Sequence, residues 1–208
     1  MSLRVLGRVT SINVRKVLWA CDELGLAFER EDWGLPIRDP KEPEYLALNP
    51  NAQVPVIVDG DFVLWESNAI LLYLAEVYGD GALRSADPRS RARAYQWLGW
   101  QASELNPPWG YAVNALVRHT PGYDEEAKIA DSIARWTVKM VLLEEHLAKG
   151  EAFVAGPEFS LADIAIGLSV HRWFHTPFVK TALPAVALYY ERLRARKVSQ
   201  KWLAAETP

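Results

Sequence analysis

The sequence predicts a small α/β domain over residues 1–80 followed by an all-helical domain over residues 88–208. Three observations carry that prediction. Strand and helix signals alternate over the first domain. The stretch "GDGALRSADPRS" then breaks the pattern with turn formers. From Asp87 onward the apolar residues recur with helical spacing and almost no alternation.

The elements follow in order. Leu3 to Leu6 reads as a short strand. The next helix carries the stripe Val14, Val17, Leu18 and Cys21, at i, i+3, i+4 and i+7, and Gly25 stands where a C′ glycine would stop it. Ala27 to Asp32 reads as a second strand. Pro36 to Pro43 reads as a loop, and Glu44 to Leu48 as a short helix. "VPVIVDGDFVLW" places a tight-turn "DG" between Val56–Val58 and Phe62–Trp65, which predicts a hairpin. Ser67 is expected to cap a helix with the stripe Ile70, Tyr73, Leu74, Val77 and Tyr78. The order β-α-β-α-β-β-α describes a small mixed sheet covered by helices. In the second domain, Asp87 with Pro88 opens a long helix, and Ile133, Trp136, Met140 and Val141 form one stripe. "SLAD" at Ser160 to Asp163 resembles a capping box, and Pro184 begins a helix through Arg194.

Composition narrows the function. The 208 residues are 50% apolar, with 23 basic and 26 acidic side chains and a net charge of −3. That balance leaves no electrostatic footprint for nucleic acid or an anionic membrane. No apolar run approaches the ~20 residues of a membrane span, and "MSLRVLG" lacks a secretory apolar core. The lone Cys21 forms no internal disulfide, so a cytoplasmic location is expected. Nine tryptophans predict large aromatic surfaces.

Three short stretches are candidates for chemistry. Ser11 follows the first strand and precedes a helix whose free N–H groups and partial positive charge favour an anion. A hydroxyl there can donate to a thiolate or oxyanion, or Ser11 or Asn13 is simply the N-cap. In "QVP", Val54–Pro55 suggests a cis peptide whose turn frees the Val54 backbone for an extended ligand, or Pro55 merely opens an edge strand. In "ES", Ser67 and a neighbouring N–H can hold a carboxylate while Glu66 holds an ammonium; the alternative is a capped helix with an exposed acid. His171 and His175 stand four apart on a helix, but no third ligand is spaced nearby and Pro177 ends that helix, so no metal is expected.

The order "SINVRKV", "NPNAQVP", "DGDFVLWESNAI" and "FSLADIA" resembles the cytosolic glutathione S-transferases over nearly the whole chain, in the serine-type, theta- and phi-like bacterial manner. The resemblance implies a thioredoxin-like first domain and a helical second domain. It implies a homodimer, with glutathione as co-substrate and a hydrophobic electrophile in a pocket between the domains. It gives Ser11 the role of activating the thiol, assisted by Asn13, with Thr10 the alternative hydroxyl. Val54 would pair through its backbone with the cysteinyl unit beside cis-Pro55, and Glu66 and Ser67 would hold the γ-glutamyl head. Gln53 and Lys41 would reach the glycyl end. Asp163 would cap a helix. Trp97, Trp100 and Trp109 would wall the electrophile pocket, or pack within the domain. Cys21, on the buried stripe, is expected to be inert. A glutathione-dependent disulfide or peroxide reductase, or a non-catalytic binding module on the same fold, are the alternatives.

Overall fold

Four short strands share one sheet in the order β2-β1-β3-β4, in a computed structural model that describes residues 3–81 and 83–203. The outermost ends of the two expected domains lie outside the described residues. β1 (Leu3–Leu6) pairs in parallel with β2 (Phe28–Glu31) and antiparallel with β3 (Val56–Asp59), which forms a hairpin with β4 (Phe62–Trp65). This mixed βαβ plus ββα sheet is the thioredoxin-like arrangement that the element order predicts. The chain divides into two compact units, one through Ala86 and one from Asp87.

Helix α1 (Ile12–Glu23) links β1 to β2, the crossover that a parallel pair requires. Its predicted stripe is buried, and so are Arg15, Lys16, Trp19 and Ala20, and the helix packs against α3 (Ser67–Val77). The helix stops at Gly25, whose φ of +64° suits a residue without a Cβ. Leu26 N–H donates to Cys21 O at 2.9 Å and Gly25 N–H to Asp22 O at 3.2 Å, which is a Schellman closure.

Two expectations in this unit need correction. The short helix α2 is Pro43–Leu46 and not Glu44–Leu48, because Pro43 supplies the first helical position. The core face of α3 is Ile70, Leu71, Leu74 and Ala75, whereas Val77 and Tyr78 are exposed. Tyr73 and Tyr78 turn instead toward the hairpin, where both hydroxyls donate to Asp59 Oδ2 at 2.7 and 2.5 Å.

The second unit is helical. Asp87 caps α4 (Pro88–Trp100), accepting from Ser90 N–H at 2.8 Å. A five-residue π-helical segment, Gln101–Leu105, joins α4 to α5 (Asn106–Leu116). Its physical cause is Pro107–Pro108, which offer no N–H and crowd the carbonyls of the preceding turn; Asn106 N–H reaches back five residues to Gln101 O. Ser132 on α6 (Glu126–Leu147) clamps this region by donating to Pro108 O and accepting from Ala112 N–H. The buried stripe of α6 is Ser132, Trp136, Met140, Leu143 and Leu147, so Ile133 and Val141 flank it at partial burial. Helix α7 (Leu161–His175) is buried around its circumference from Leu161 to Trp173, the pattern of a central helix. Two further helices, α8 (Pro184–Arg194) and α9 (Lys197–Trp202), follow it.

Candidate functional site

The β1–α1 turn is built by three backbone bonds. Arg8 N–H donates to Trp33 O at 2.8 Å, Ser11 N–H to Arg8 O at 3.1 Å, and Arg15 N–H to Ser11 O at 2.9 Å. Ser11 therefore occupies the N-cap position of α1 with extended backbone, φ −82° and ψ 124°, yet its hydroxyl makes no capping bond. A serine that caps by its backbone alone leaves its O–H available for something else.

The loop before β3 is held from behind. Tyr45, fully buried, donates its hydroxyl to Gln53 O at 2.9 Å, and Asn49, 2% exposed, donates Nδ2 to the same oxygen at 2.8 Å. Burial pushes the Tyr45 hydroxyl above the usual tyrosine range, so it stays a donor. Asn49 Oδ1 accepts from Asn51 N–H at 3.0 Å and from its side-chain amide at 3.1 Å. The Val54–Pro55 bond that follows is cis. Leu6, Trp33, Tyr45 and Val56 form the apolar cluster under this loop, with Val54 packed on it.

The turn into α3 departs from expectation. Glu66 takes the N-cap position and Ser67 is already helical, so Ser67 does not cap. Glu66 has φ 75° and ψ 107°, a left-handed-side conformation that costs a non-glycine residue about 1–3 kcal/mol and is found where a site demands a particular backbone path. Ser67 is 5% exposed, and Lys16 from α1, 1% exposed, reaches behind it. Lys16 Nζ lies 3.5 Å from Ser67 Oγ and donates to Asn68 Oδ1 at 3.1 Å. A buried ammonium and the first turn of an eleven-residue helix thus converge on one hydroxyl. Both favour a bound anion there.

A cavity of about 350 Å³ joins these pieces. Of the expected residues it gathers Asn13, Gln53, Val54, Pro55, Glu66 and Ser67. Asn49, Asn51 and Trp65 also line it, residues to which the sequence motifs assign no role. Asn49 and Asn51 lie inside the quoted "NPNAQVP", so their place in the motif was the available signal. Ser11 is not part of the lining. Lys41 is exposed, with its backbone N–H on Asp39 Oδ1 at 2.9 Å.

Of the three expected tryptophans in the helical unit, Trp97 and Trp100 are in ring contact and Trp109 has other partners. Trp97 packs at 5.1 Å from Trp100 and 4.5 Å from the His146 ring, and lines a second cavity of about 340 Å³ with Arg93, Gln96 and Lys149. Trp109 donates to Asn106 Oδ1 at 3.1 Å beneath the Arg172 guanidinium, 4.6 Å from its ring. Cys21 is fully buried, and burial, with Asp22 beside it, pushes its thiol up to about 12; it stays protonated and is no nucleophile. His171 Nδ1 lies 2.7 Å from the Tyr190 hydroxyl, with the His175 ring 4.3 Å from its own. Among the described residues no group of three or more His, Cys, Asp or Glu side chains is placed to hold a metal ion, and no helix is long and apolar enough to cross a membrane.

The family model described as "Glutathione S-transferase, N-terminal domain" matches residues 1–76. Over 197 residues the chain is 35% identical to "Glutathione S-transferase GstB" of Escherichia coli, covering 94% of each sequence. It is 34% identical over 164 residues to "Disulfide-bond oxidoreductase YfcG" of the same organism, covering 74% of this chain and 73% of that one. Among solved structures, a theta class glutathione S-transferase from Xanthomonas axonopodis pv. citri with glutathione bound superposes with a TM-score of 0.92. It is 34% identical, over 98% of this chain and 97% of that one.

Proposed function

The chain belongs to the glutathione S-transferase family, and from that premise we propose that it binds glutathione in the cavity at the start of α3 and activates its thiol toward a small hydrophobic electrophile. The observation that carries the reading is the shared cavity of Asn13, the Val54 backbone beside cis-Pro55, Glu66 and Ser67. In this reading Ser67, backed by Lys16, and the α3 N-terminus hold the γ-glutamyl carboxylate, and Glu66 holds its ammonium. Val54 pairs with the cysteinyl backbone as an added strand would. Gln53 and Lys41 face the glycyl end. The uncommitted Ser11 hydroxyl donates to the sulfur, with Asn13 assisting. The thiol proton passes to solvent, the thiolate attacks an electrophilic carbon, and the leaving group departs with the bonding pair. From the helical unit, Trp97, Trp100 and Trp109 are the proposed aromatic contacts for the electrophile. We place the protein in the cytoplasm as a homodimer.

A second reading, disulfide reduction, is favoured by the similarity to a disulfide-bond oxidoreductase. With Cys21 buried and protonated, the exchange would run through glutathione itself. One thiolate would open the substrate disulfide, and a second glutathione would release the mixed disulfide as glutathione disulfide and a reduced thiol.

Titration calorimetry with glutathione, followed by turnover of 1-chloro-2,4-dinitrobenzene and of 2-hydroxyethyl disulfide, tests both. Saturable binding with conjugation is expected. Faster turnover of the disulfide would select the second reading. Binding without turnover of either, or of a peroxide, would make the protein a binding module, and no binding at all would remove the whole proposal.

A further inference from the structure

The turn that carries Ser11 also carries a cation, Arg8. Within the first unit Arg4 pairs with Glu31, Arg30 with Asp32, and Arg38 with Glu42 and Glu44 at 3.0 and 2.7 Å. The Arg8 guanidinium has no hydrogen bond or ion pair among the described residues, although its backbone is fixed at both ends of the turn, to Trp33 and Ser11. Its stem lies across Gly34. A Cβ on Gly34 would come 3.2–3.4 Å from Arg8 Cδ, Nε and Cγ, and Gly34 itself has φ +107°. Glycine at that position therefore leaves a seat for the arginine between the β1–α1 turn and the loop after β2. The residues adjoining that seat are apolar and turned to solvent: Val9 is 44% exposed, Leu35 60% and Ile37 59%.

A charge held beside exposed apolar side chains, three residues from the hydroxyl proposed to face the sulfur, is a receptor for a ligand of mixed character. We propose that Arg8 makes this site selective for apolar electrophiles that carry a negative charge, aromatic carboxylates being the simplest class. The inference rests on the function proposed above. Glutathione's own carboxylates are assigned to the α3 N-terminus and to the Gln53 end, so neither is needed to satisfy Arg8. In the step itself the sulfur–carbon bond forms, the carbon–halogen bond breaks and halide leaves with its electron pair. Arg8 takes no proton and binds only the remote carboxylate, through a planar guanidinium suited to it.

The test compares two conjugates that differ in that charge, S-(2,4-dinitrophenyl)glutathione and S-(4-carboxy-2,6-dinitrophenyl)glutathione, by calorimetry on wild type, Arg8→Gln and Arg8→Glu. Their glutathione portions are identical, so the ratio of the two affinities isolates the carboxylate. Because the pair is partly exposed, a change of about fivefold in that ratio against the anionic conjugate is expected for Arg8→Gln, and a larger one for Arg8→Glu. The preference should also shrink as ionic strength rises to about 0.3 M. A ratio unchanged in both variants overturns the inference while leaving the glutathione site intact. Failure of the wild type to bind either conjugate overturns the function on which it rests.

Discussion

Ser11, Asn13, Glu66 and Ser67 are residues whose type suggests chemistry and to each of which the proposed function gives a distinct task. Free glutathione, with a thiol pKa near ~8.5, is only a few per cent ionised at neutral pH. A lowering of about 2 units would stabilise the thiolate by about 2.7 kcal/mol. Ser11→Ala should remove much of that, so thiolate absorbance of bound glutathione titrates at higher pH and turnover slows, with affinity little changed. Thr10→Ala should do far less; a shift in Thr10→Ala but not in Ser11→Ala would name the other hydroxyl. Glu66→Ala should weaken glutathione binding by about 1–3 kcal/mol, the loss for a charge-assisted hydrogen bond, measured by calorimetry. At this scale the sequence was partly legible. Ser67 was identifiable from "ES", but the Lys16 ammonium behind it was not. Lys16 lies 51 positions earlier in the chain, and only the packing of α1 on α3 brings the two together.

At the scale of elements, two supports outside the cavity's chemistry are testable. Tyr45→Phe removes one of two donors to Gln53 O and leaves Asn49 as the other. It should cost about 1 kcal/mol in urea unfolding and loosen the loop that presents Val54. The capping box of α7 is the other support. Asp163 is fully buried and accepts from Val154 and Ser160 N–H, each at 2.9 Å, and from the Tyr189 hydroxyl at 2.9 Å. Burial raises its carboxyl from the ordinary 3.8 to about 6, against the downward pull of those bonds. Between those values the native state binds more protons than the unfolded chain, so this group's contribution to stability falls as pH rises from about 4 to 6 and is level above. Urea unfolding of wild type and Asp163→Asn across that range should show the slope in the wild type and its loss in the variant. "SLAD" announced this cap in one dimension. The Val154 and Tyr189 partners, from a loop and from α8, could not be read there.

For the whole molecule, the homodimer is the prediction that matters. The hairpin and α3 expose Phe62, Trp65, Val77 and Tyr78, a concentration of apolar surface that an isologous contact would cover. Sedimentation at micromolar concentration should give about twice the 23.4 kDa chain mass. Phe62→Glu should shift the mass toward one chain, and a wild-type mass of one chain would rule the assembly out.

What the sequence determined by itself is the local record. Periods of two and of 3.6, the "DG" turn, the Gly25 stop, the Asp87 and Ser160 caps and the spacing of the four motifs are all written in neighbouring residues. From them the two-unit order and the thioredoxin-like sheet follow, because short-range sterics and hydrogen bonding decide them. Tertiary structure alone decided that the Ser11 hydroxyl makes no capping bond, that Glu66 and not Ser67 takes the cap, and that Asn49 and Tyr45 share the Gln53 carbonyl. It likewise decided that the Arg8 guanidinium lies across Gly34 with no ion pair among the described residues. Each of these depends on which buried or charged groups meet from distant parts of the chain, and periodicity carries no information about those meetings.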